Sequence, residues 1–367
     1  MKILVTGGVG FIGSHLIDKL VELQFEVFSL DRTSPGKYQN PQCNYITRDI
    51  CDPLDDLMKE QFDIIYHLAS EVGSGLSMAD PLKFVNANNN GTCNLLESMR
   101  RSGKMAKVIV ASSATVYGEA TYESPEYGIC YPDFRPLEQL ERGEWELKCP
   151  KSGKDMKAVA IKENRILMPA SIYGESKLSQ EWQCLLLGRT WGFPVVAFRL
   201  FGVFGPRQSL GNPYTGVLAL FATKVFSGKN IIHYEDGLQN KGYTYIDDVI
   251  NAFLMTLDSS KGDGMAMNLG LPKPVTIKRI AELLIKKINP DVAVTSKGQY
   301  RISDTRHSWP DTSLANQELG WTTKVSFEEG MDKMIEWLKT LPQDDIYNSL
   351  ENFAKAEQYA LKHGLPV

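Results

Sequence analysis

Nine residues near the start of this chain, Val5-Thr-Gly-Gly-Val-Gly-Phe-Ile-Gly13, constrain its fold more than any other stretch. They follow a short apolar run and lead into an amphipathic one. The spacing satisfies G-x-x-G-x-x-G through Gly7, Gly10 and Gly13, and G-x-G-x-x-G through Gly8, Gly10 and Gly13. Glycine lets the backbone turn sharply from strand to helix and approach a pyrophosphate at the helix N-terminus. A glycine triplet alone also describes a tight turn with close packing. Two further positions add weight. Asp31 ends the next β-like run, eighteen residues past Gly13, where a carboxylate accepts from ribose hydroxyls. Asp49 and Ile50 follow the third run, where an adenine edge would lie. Asp31 would repel a 2′-phosphate and so favours NAD, with Arg32 beside it softening the preference.

The periodicity around that loop predicts an α/β fold. Runs at 2–5, 26–30, 44–46, 63–67, 107–112 and 195–200 read as strands, and 14–23, 55–59 and 88–102 as helices between them. Such alternation specifies a Rossmann-type doubly wound parallel sheet with helices on both faces. At 367 residues the chain is long enough for two unequal domains. Residues 1–200 are assigned to the cofactor domain, with 243–260 returning to it. Residues 201–367 form a smaller α/β substrate domain interleaved with the first, with helices at 216–226, 277–287, 326–338 and 346–362. Residues 119–168, rich in Tyr, Pro, Glu and Lys, break the rhythm and read as an ordered functional insertion. A net charge of −4 argues against nucleic acid as a partner. Six scattered cysteines without a C-x-x-C pair suit reduced thiols in the cytoplasm. The N-terminus reads as a strand rather than a signal peptide, and no apolar run approaches membrane-spanning length.

A second cluster gives the loop a chemistry. In Ser171-Ile-Tyr-Gly-Glu-Ser-Lys177, Tyr173 and Lys177 stand four residues apart, on one face of a helix. There an ammonium lowers a phenol's pKa and holds it near neutrality as a proton donor or acceptor. Singly, a core Tyr, a surface Lys and a buried Ser are ordinary. Together with Ser112-Ser-Ala-Thr-Val-Tyr-Gly118 and the cofactor loop, they point to hydride chemistry at a carbinol.

With these motifs assembled, the chain resembles the extended short-chain dehydrogenase/reductase family, in its sugar-nucleotide epimerase/dehydratase branch. The matching stretches are 6–13, His67-Leu-Ala69, Asn88-Asn-Asn-Gly-Thr92, 112–118, 173–177, 199–207 and 301–311. The resemblance implies a catalytic set of Ser113, Tyr173 and Lys177 beneath the nicotinamide of NAD. It implies cofactor contacts from Gly7, Gly10, Phe11, Ile12, Gly13, Asp31, Arg32, Asp49, Ile50, Leu68, Ala69, Ser70 and Asn88, with Tyr173 and Lys177 joining them. Contacts to a nucleotide-diphosphate sugar are implied for Ser74, Thr115, Arg207, Asn212, Lys241 and Arg306. The loop 71–78 should face the sugar, and His67 should end a buried strand without acting as a base. The family also implies a homodimer.

The branch includes dehydratases, epimerases, decarboxylases and reductases. Its dehydratases carry Asp-Glu directly after the catalytic hydroxyl, whereas this chain has Ala114-Thr115, which cannot exchange protons at two carbons. Epimerisation at C4 needs only transient oxidation, rotation of the keto sugar and return of hydride. Segments of 135–153 and the run 207–217 are similar to those of dTDP-L-rhamnose 4-epimerases, which favours dTDP-L-rhamnose and dTDP-6-deoxy-L-talose as the substrate pair. Relatives can hold zinc in the insertion; here Ser124, Tyr127 and Ser152 stand at three of those positions beside Cys149, so no metal is expected. A UDP- or CDP-sugar epimerase, a 4-ketoreductase of the same fold and an NAD(H)-sensing protein without catalysis remain the alternatives.

Overall fold

The first strand is apolar on both faces, and that explains the layering. The computed structural model describes residues 1–210, 216–301 and 304–362. In β1 (Lys2–Thr6), Ile3 and Val5 enter one buried cluster while Leu4 enters another on the opposite face. The first cluster packs on Leu16, Ile17 and Leu20 of α1 (Phe11–Glu22), and the second on Leu95, Leu96 and Met99 of a helix further along. Chain order then gives β2 (Glu26–Asp31), β3 (Asn44–Thr47), α2 (Asp55–Met58) and β4 (Ile64–His67). These are followed by α3 (Ser74–Ala79), α4 (Pro81–Phe84), α5 (Gly91–Arg101) and β5 (Lys107–Ser113).

The central sheet has seven parallel strands. From one edge it runs β3-β2-β1-β4-β5, then β9 (Val195–Leu200), then the strand Met265–Leu269. The order reverses between β1 and β4, whose ends pair Thr6 with His67, and ligands enter such sheets at that crevice. The seventh strand comes from the region assigned to the second domain, so the interleaving reaches beyond 243–260. No run of β-branched residues marks Met265-Ala-Met-Asn-Leu269 as a strand; its place beside β9 imposes the conformation.

Two local expectations change. The loop 71–78 contains a helix, because Ser74–Ala79 winds into α3. The helix foreseen at 88–102 starts earlier, as a widened π-type turn at Val85–Asn90 leading into α5. The insertion is ordered into β6 (Thr121–Ser124), β7 (Gly128–Cys130), α6 (Leu137–Glu141) and β8 (Lys157–Val159). Its three strands form an antiparallel sheet in the order β7-β6-β8. Next comes α7 (Ile172–Trp191), which ends at Gly192 in the left-handed conformation. Among the described residues no cluster of three or more His, Cys, Asp or Glu could hold a metal, and no helix is long and apolar enough to cross a membrane. Cys149 instead receives hydrogen bonds from Ser152 and Ser124, which bring its thiol down to about 7.

The insertion is fastened by buried charge as well as by packing of Tyr117, Tyr122, Leu147 and Phe201. Arg306 is fully buried and gives hydrogen bonds to three carboxylates. They are Glu146 of the insertion at 2.7 Å, Glu235 at 2.7 Å and Asp236 at 2.7 Å. Arg135 of the insertion reaches Glu235 at 2.8 Å, and His307 reaches Glu146 at 3.0 Å. The backbone N–H groups of Arg306 and His307 donate to Glu119. The expectation that Arg306 binds substrate phosphate is therefore corrected: its guanidinium is committed to a clamp between distant segments.

Removing one partner of such a cluster strands the others in a dry environment. Arg306→Met is expected to lower unfolding stability by about 3 kcal/mol or more in denaturant titrations without ligand. Burial raises the Glu146 carboxyl, but hydrogen bonds from His307 and Arg306 outweigh it and pull the group down to about 2. Because its folded value lies below the ordinary 4.5, Glu146 adds stability above that pH and loses it as pH falls toward 2. Glu146→Gln should flatten that part of the acid-unfolding curve.

Candidate active site

The crevice at the sheet's reversal point opens into a cavity of about 580 Å³. Its floor is the glycine loop. Gly7 has φ +72°, and a Cβ there would lie 2.8 Å from the Ala69 nitrogen; a Cβ on Gly13 would lie 2.4 Å from the Gly7 oxygen. Gly10 caps α1 with no side-chain hydrogen bond, and no acidic residue occupies the first turn. The N-terminal N–H groups there, with Phe11 and Ile12 on the wall, make an anion cradle.

Asp31, at the end of β2, lies on the same cavity. Its carboxylate accepts from Val9 N at 3.1 Å and Thr33 N at 2.9 Å, which fixes it at the rim. Arg32, Asp49, Ile50, Leu68, Ala69, Ser70 and Ser74 line the wall as well. Arg32 forms an ion pair with Glu71, a lining residue at the start of the loop expected to face the sugar; Lys83 approaches the same carboxylate at 3.2 Å. Arg48, which motif reading missed, lines the cavity and grips Asp56 through two bonds of 2.6 and 2.8 Å. Its position beside Asp49 was the available signal.

At the other end of the cavity stand Ser113, Thr115, Tyr173 and Lys177. Ser113 ends β5 and accepts from Thr115 N at 3.2 Å and Thr115 Oγ1 at 2.8 Å. With two bonds accepted, the serine proton is available to the Tyr173 phenol, to which Ser113 is hydrogen-bonded. Tyr173 is set by the start of α7, where Ser171 caps Gly174 N at 3.1 Å and Ser77 of α3 accepts from Tyr173 N at 2.9 Å. The edge of Phe84 packs against the phenol ring, centroids 6.2 Å apart. Burial raises the phenol's pKa, and the Ser113 bond opposes that rise. The expected lowering by Lys177 is not what this geometry produces, since the Lys177 Nζ turns to Gln180 Oε1 at 2.6 Å. Burial pushes the Lys177 ammonium down to about 8.

Beneath these groups runs a buried ion pair. Glu181 of α7 accepts from Arg199 of β9 at 3.0 and 2.6 Å, and from Ser112 Oγ at 2.6 Å. Arg199 also donates to the Tyr117 hydroxyl at 2.8 Å. His67 is buried between Thr6 and Thr92 at 2.8 Å each, and burial pushes it down to about 3, so it stays neutral.

Other expected contacts lie off the cavity. Asn88 is completely buried, accepting from Glu71 N at 2.7 Å and donating to Glu71 O at 3.1 Å and Ser176 Oγ at 2.8 Å. It braces the loop after β4 against α7, its amide nitrogen spent on both sides of that joint. Arg207 turns onto Asp18 at 2.7 Å and over the Tyr38 ring, while its neighbours Gln208 and Ser209 line the cavity. Lys241 gives its ammonium to Thr305 O at 2.7 Å and Oγ1 at 3.0 Å, where burial lowers its pKa. Asn212 lies outside the described residues.

A glycine cradle, a rim carboxylate and a hydroxyl–phenol–ammonium group on one crevice define a dinucleotide-dependent enzyme of the Rossmann class. Sequence comparison gives the family. Residues 3–139 match the model of the NAD dependent epimerase/dehydratase family, and residues 153–334 match that of GDP-mannose 4,6 dehydratase. The dTDP-L-rhamnose 4-epimerase of Burkholderia thailandensis is 30% identical over 351 residues, covering 92% of this chain and 94% of that protein. A putative UDP-glucose 4-epimerase of Methanocaldococcus jannaschii is 28% identical, covering 92% and 98%. The UDP-glucuronic acid 4-epimerase of Bacillus cereus, solved with UDP-glucuronic acid and NAD, superposes with a TM-score of 0.76 at 27% identity, covering 93% of this chain and all of that one. The chain belongs to the NAD dependent epimerase/dehydratase family, and NAD is its cofactor.

A methyl on the cradle would crowd the turn on which the cofactor's phosphates rest. Gly13→Ala is expected to weaken NAD binding about tenfold or more by calorimetry, since such overpacking costs about 1–3 kcal/mol.

Proposed function

We propose that the protein is an NAD-dependent nucleotide-sugar 4-epimerase acting on dTDP-L-rhamnose and dTDP-6-deoxy-L-talose. The observation that carries the reading is the composition of the reactive end. Ser113, Tyr173 and Lys177 share one wall, and the two residues after Ser113 are Ala114 and Thr115, neither with a carboxyl group. The acid/base pair that eliminates water in the dehydratases follows the catalytic hydroxyl directly, and positions 114 and 115 supply no such pair here. The Burkholderia relative supports the dTDP-L-rhamnose pair.

Bound NAD supplies a reversible hydride acceptor. Tyr173, as phenolate, takes the proton of the C4 hydroxyl, and Ser113 donates a hydrogen bond to the same oxygen as its charge changes. Lys177, on the same wall, would hold the nicotinamide ribose of bound NAD. Thr115 orients Ser113 through its 2.8 Å bond, and Ser74 borders the space for the sugar. After rotation of the 4-keto sugar, Tyr173 returns the proton as C4 is reduced on its other face. A cytoplasmic homodimer accompanies this reading, through the outward side of α7 where Trp182 and Leu186 are exposed; light scattering tests it.

The decisive experiment incubates the enzyme with dTDP-, UDP- and CDP-sugars in deuterated buffer and follows C4 by NMR. Inversion of dTDP-L-rhamnose at C4 without solvent deuterium, and without added cofactor, is the expected result. Strict dependence on added NADPH, or deuterium beside C4, would overturn the direct hydride route. Tyr173→Phe should lower kcat by about 10²–10⁴ while NAD stays bound. With Lys177 active as its cation, kcat should fall as pH rises through about 8.

A further inference from the structure

Gln180 lies on the dry side of the cavity wall, one turn past Lys177 on α7, and is fully buried. Its amide oxygen accepts from Lys177 Nζ at 2.6 Å. Its amide nitrogen lies 3.0 Å from Thr92 Oγ1, 3.2 Å from Ala69 O and 3.2 Å from His67 Nε2.

The neighbours leave this amide one orientation. Thr92 gives its hydroxyl proton to the Asn88 carbonyl oxygen at 2.5 Å, so toward His67 and Gln180 it only accepts. His67 therefore carries its proton on Nε2 and donates it to Thr92. His67 Nδ1 then accepts from Thr6 Oγ1 at 2.8 Å, and that oxygen in turn accepts from Ala69 N at 3.1 Å. The two N–H groups of Gln180 reach Thr92 and the Ala69 carbonyl, and the His67 Nε2 contact is a close approach of two donors. Turning the amide over would set oxygen against the Ala69 carbonyl and NH₂ against an ammonium, leaving buried groups unpaired on both sides.

We propose that Gln180 is a positioning residue that fixes Lys177 at the cavity wall in its charged form, held in its orientation by the chain Thr6–His67–Thr92. An uncharged acceptor stabilises the ammonium without cancelling its field on the cavity, as a carboxylate at 180 would. The groups facing Lys177 are Glu181 on its own helix, which favours its charge, and two neutral ones, the Cys184 thiol of that helix, which burial pushes up to about 12, and His67 of β4. Only the kinetic consequence rests on the function proposed above; the contact itself does not.

The test follows Lys177 in the enzyme as purified, by NMR of isotope-labelled lysine side chains, with Lys177→Arg assigning the signal. Gln180→Leu should move the Lys177 titration down by about one pH unit. The alkaline limb of kcat should move with it, while KM for the sugar changes less than twofold. Gln180→Glu should move the titration upward. A titration unmoved by Gln180→Leu, or moved the same way by both variants, would overturn the proposal. If Gln180→Leu does not fold, Gln180→Glu and Thr92→Val decide; the latter unties the amide while keeping it, and should lower the titration. If no nucleotide sugar is turned over, the epimerase reading fails, and the Lys177 titration still judges Gln180.

Discussion

The pairing of Glu181 with Arg199 is the interaction on which the site most depends. It joins α7 to β9 in the dry space beneath the cavity, and Ser112 adds the end of β5 to the same carboxylate. Two charges taken out of water cost several kcal/mol each unless every donor is matched. Here most are matched: the guanidinium donates four bonds, two to Glu181, one to the Tyr117 hydroxyl and one to the Glu163 carbonyl. The net worth of such a pair to stability is small, but breaking it is costly, so the three elements are held in one arrangement. Ser113 follows Ser112 by one residue, and Lys177 and Tyr173 lie one and two turns before Glu181. Reactive groups far apart in sequence thus share one rigid support.

Much of this is legible in the sequence. The glycine spacing and the strand–helix alternation dictated the sheet, because both periodicities are local. The wall residues of the cofactor half were legible for the same reason, as they sit in loops after strands whose ends were evident. The seventh strand was not: Met265–Leu269 has no alternation to announce it and becomes a strand only through β9. The electrostatics were less legible still. Spacing set Tyr173 and Lys177 on one face, but it could not show that burial governs the phenol or that Gln180 draws the ammonium aside.

The cations show why matching a motif differs from reading a site. Arg207, Lys241 and Arg306 occupy positions that sequence marks for an anionic substrate. Each has found a partner inside the protein: Asp18, Thr305, and the carboxylates of Glu146, Glu235 and Asp236. Sequence shows a charge, whereas its availability depends on residues far from it along the chain, 64 positions away for Lys241 and 160 for Arg306 and Glu146. Arg306 is the clearest case, since one of its partners belongs to an insertion whose side-chain directions no periodicity foretold.

The late strand has a consequence for how the molecule is made. Chains emerge from the ribosome N-terminus first, and domains begin to fold as they appear. When residue 200 emerges, β9 can already pair with β5, but its other edge has no partner until residues 265–269 follow. For that interval the nascent sheet presents an open, apolar strand edge of the kind that pairs with strangers. The insertion waits longer, with Glu146 and Arg135 lacking their counter-charges until residues 235 and 306 are synthesised. The same long-range contacts that give the mature enzyme one rigid cleft leave its nascent chain incomplete until late in synthesis.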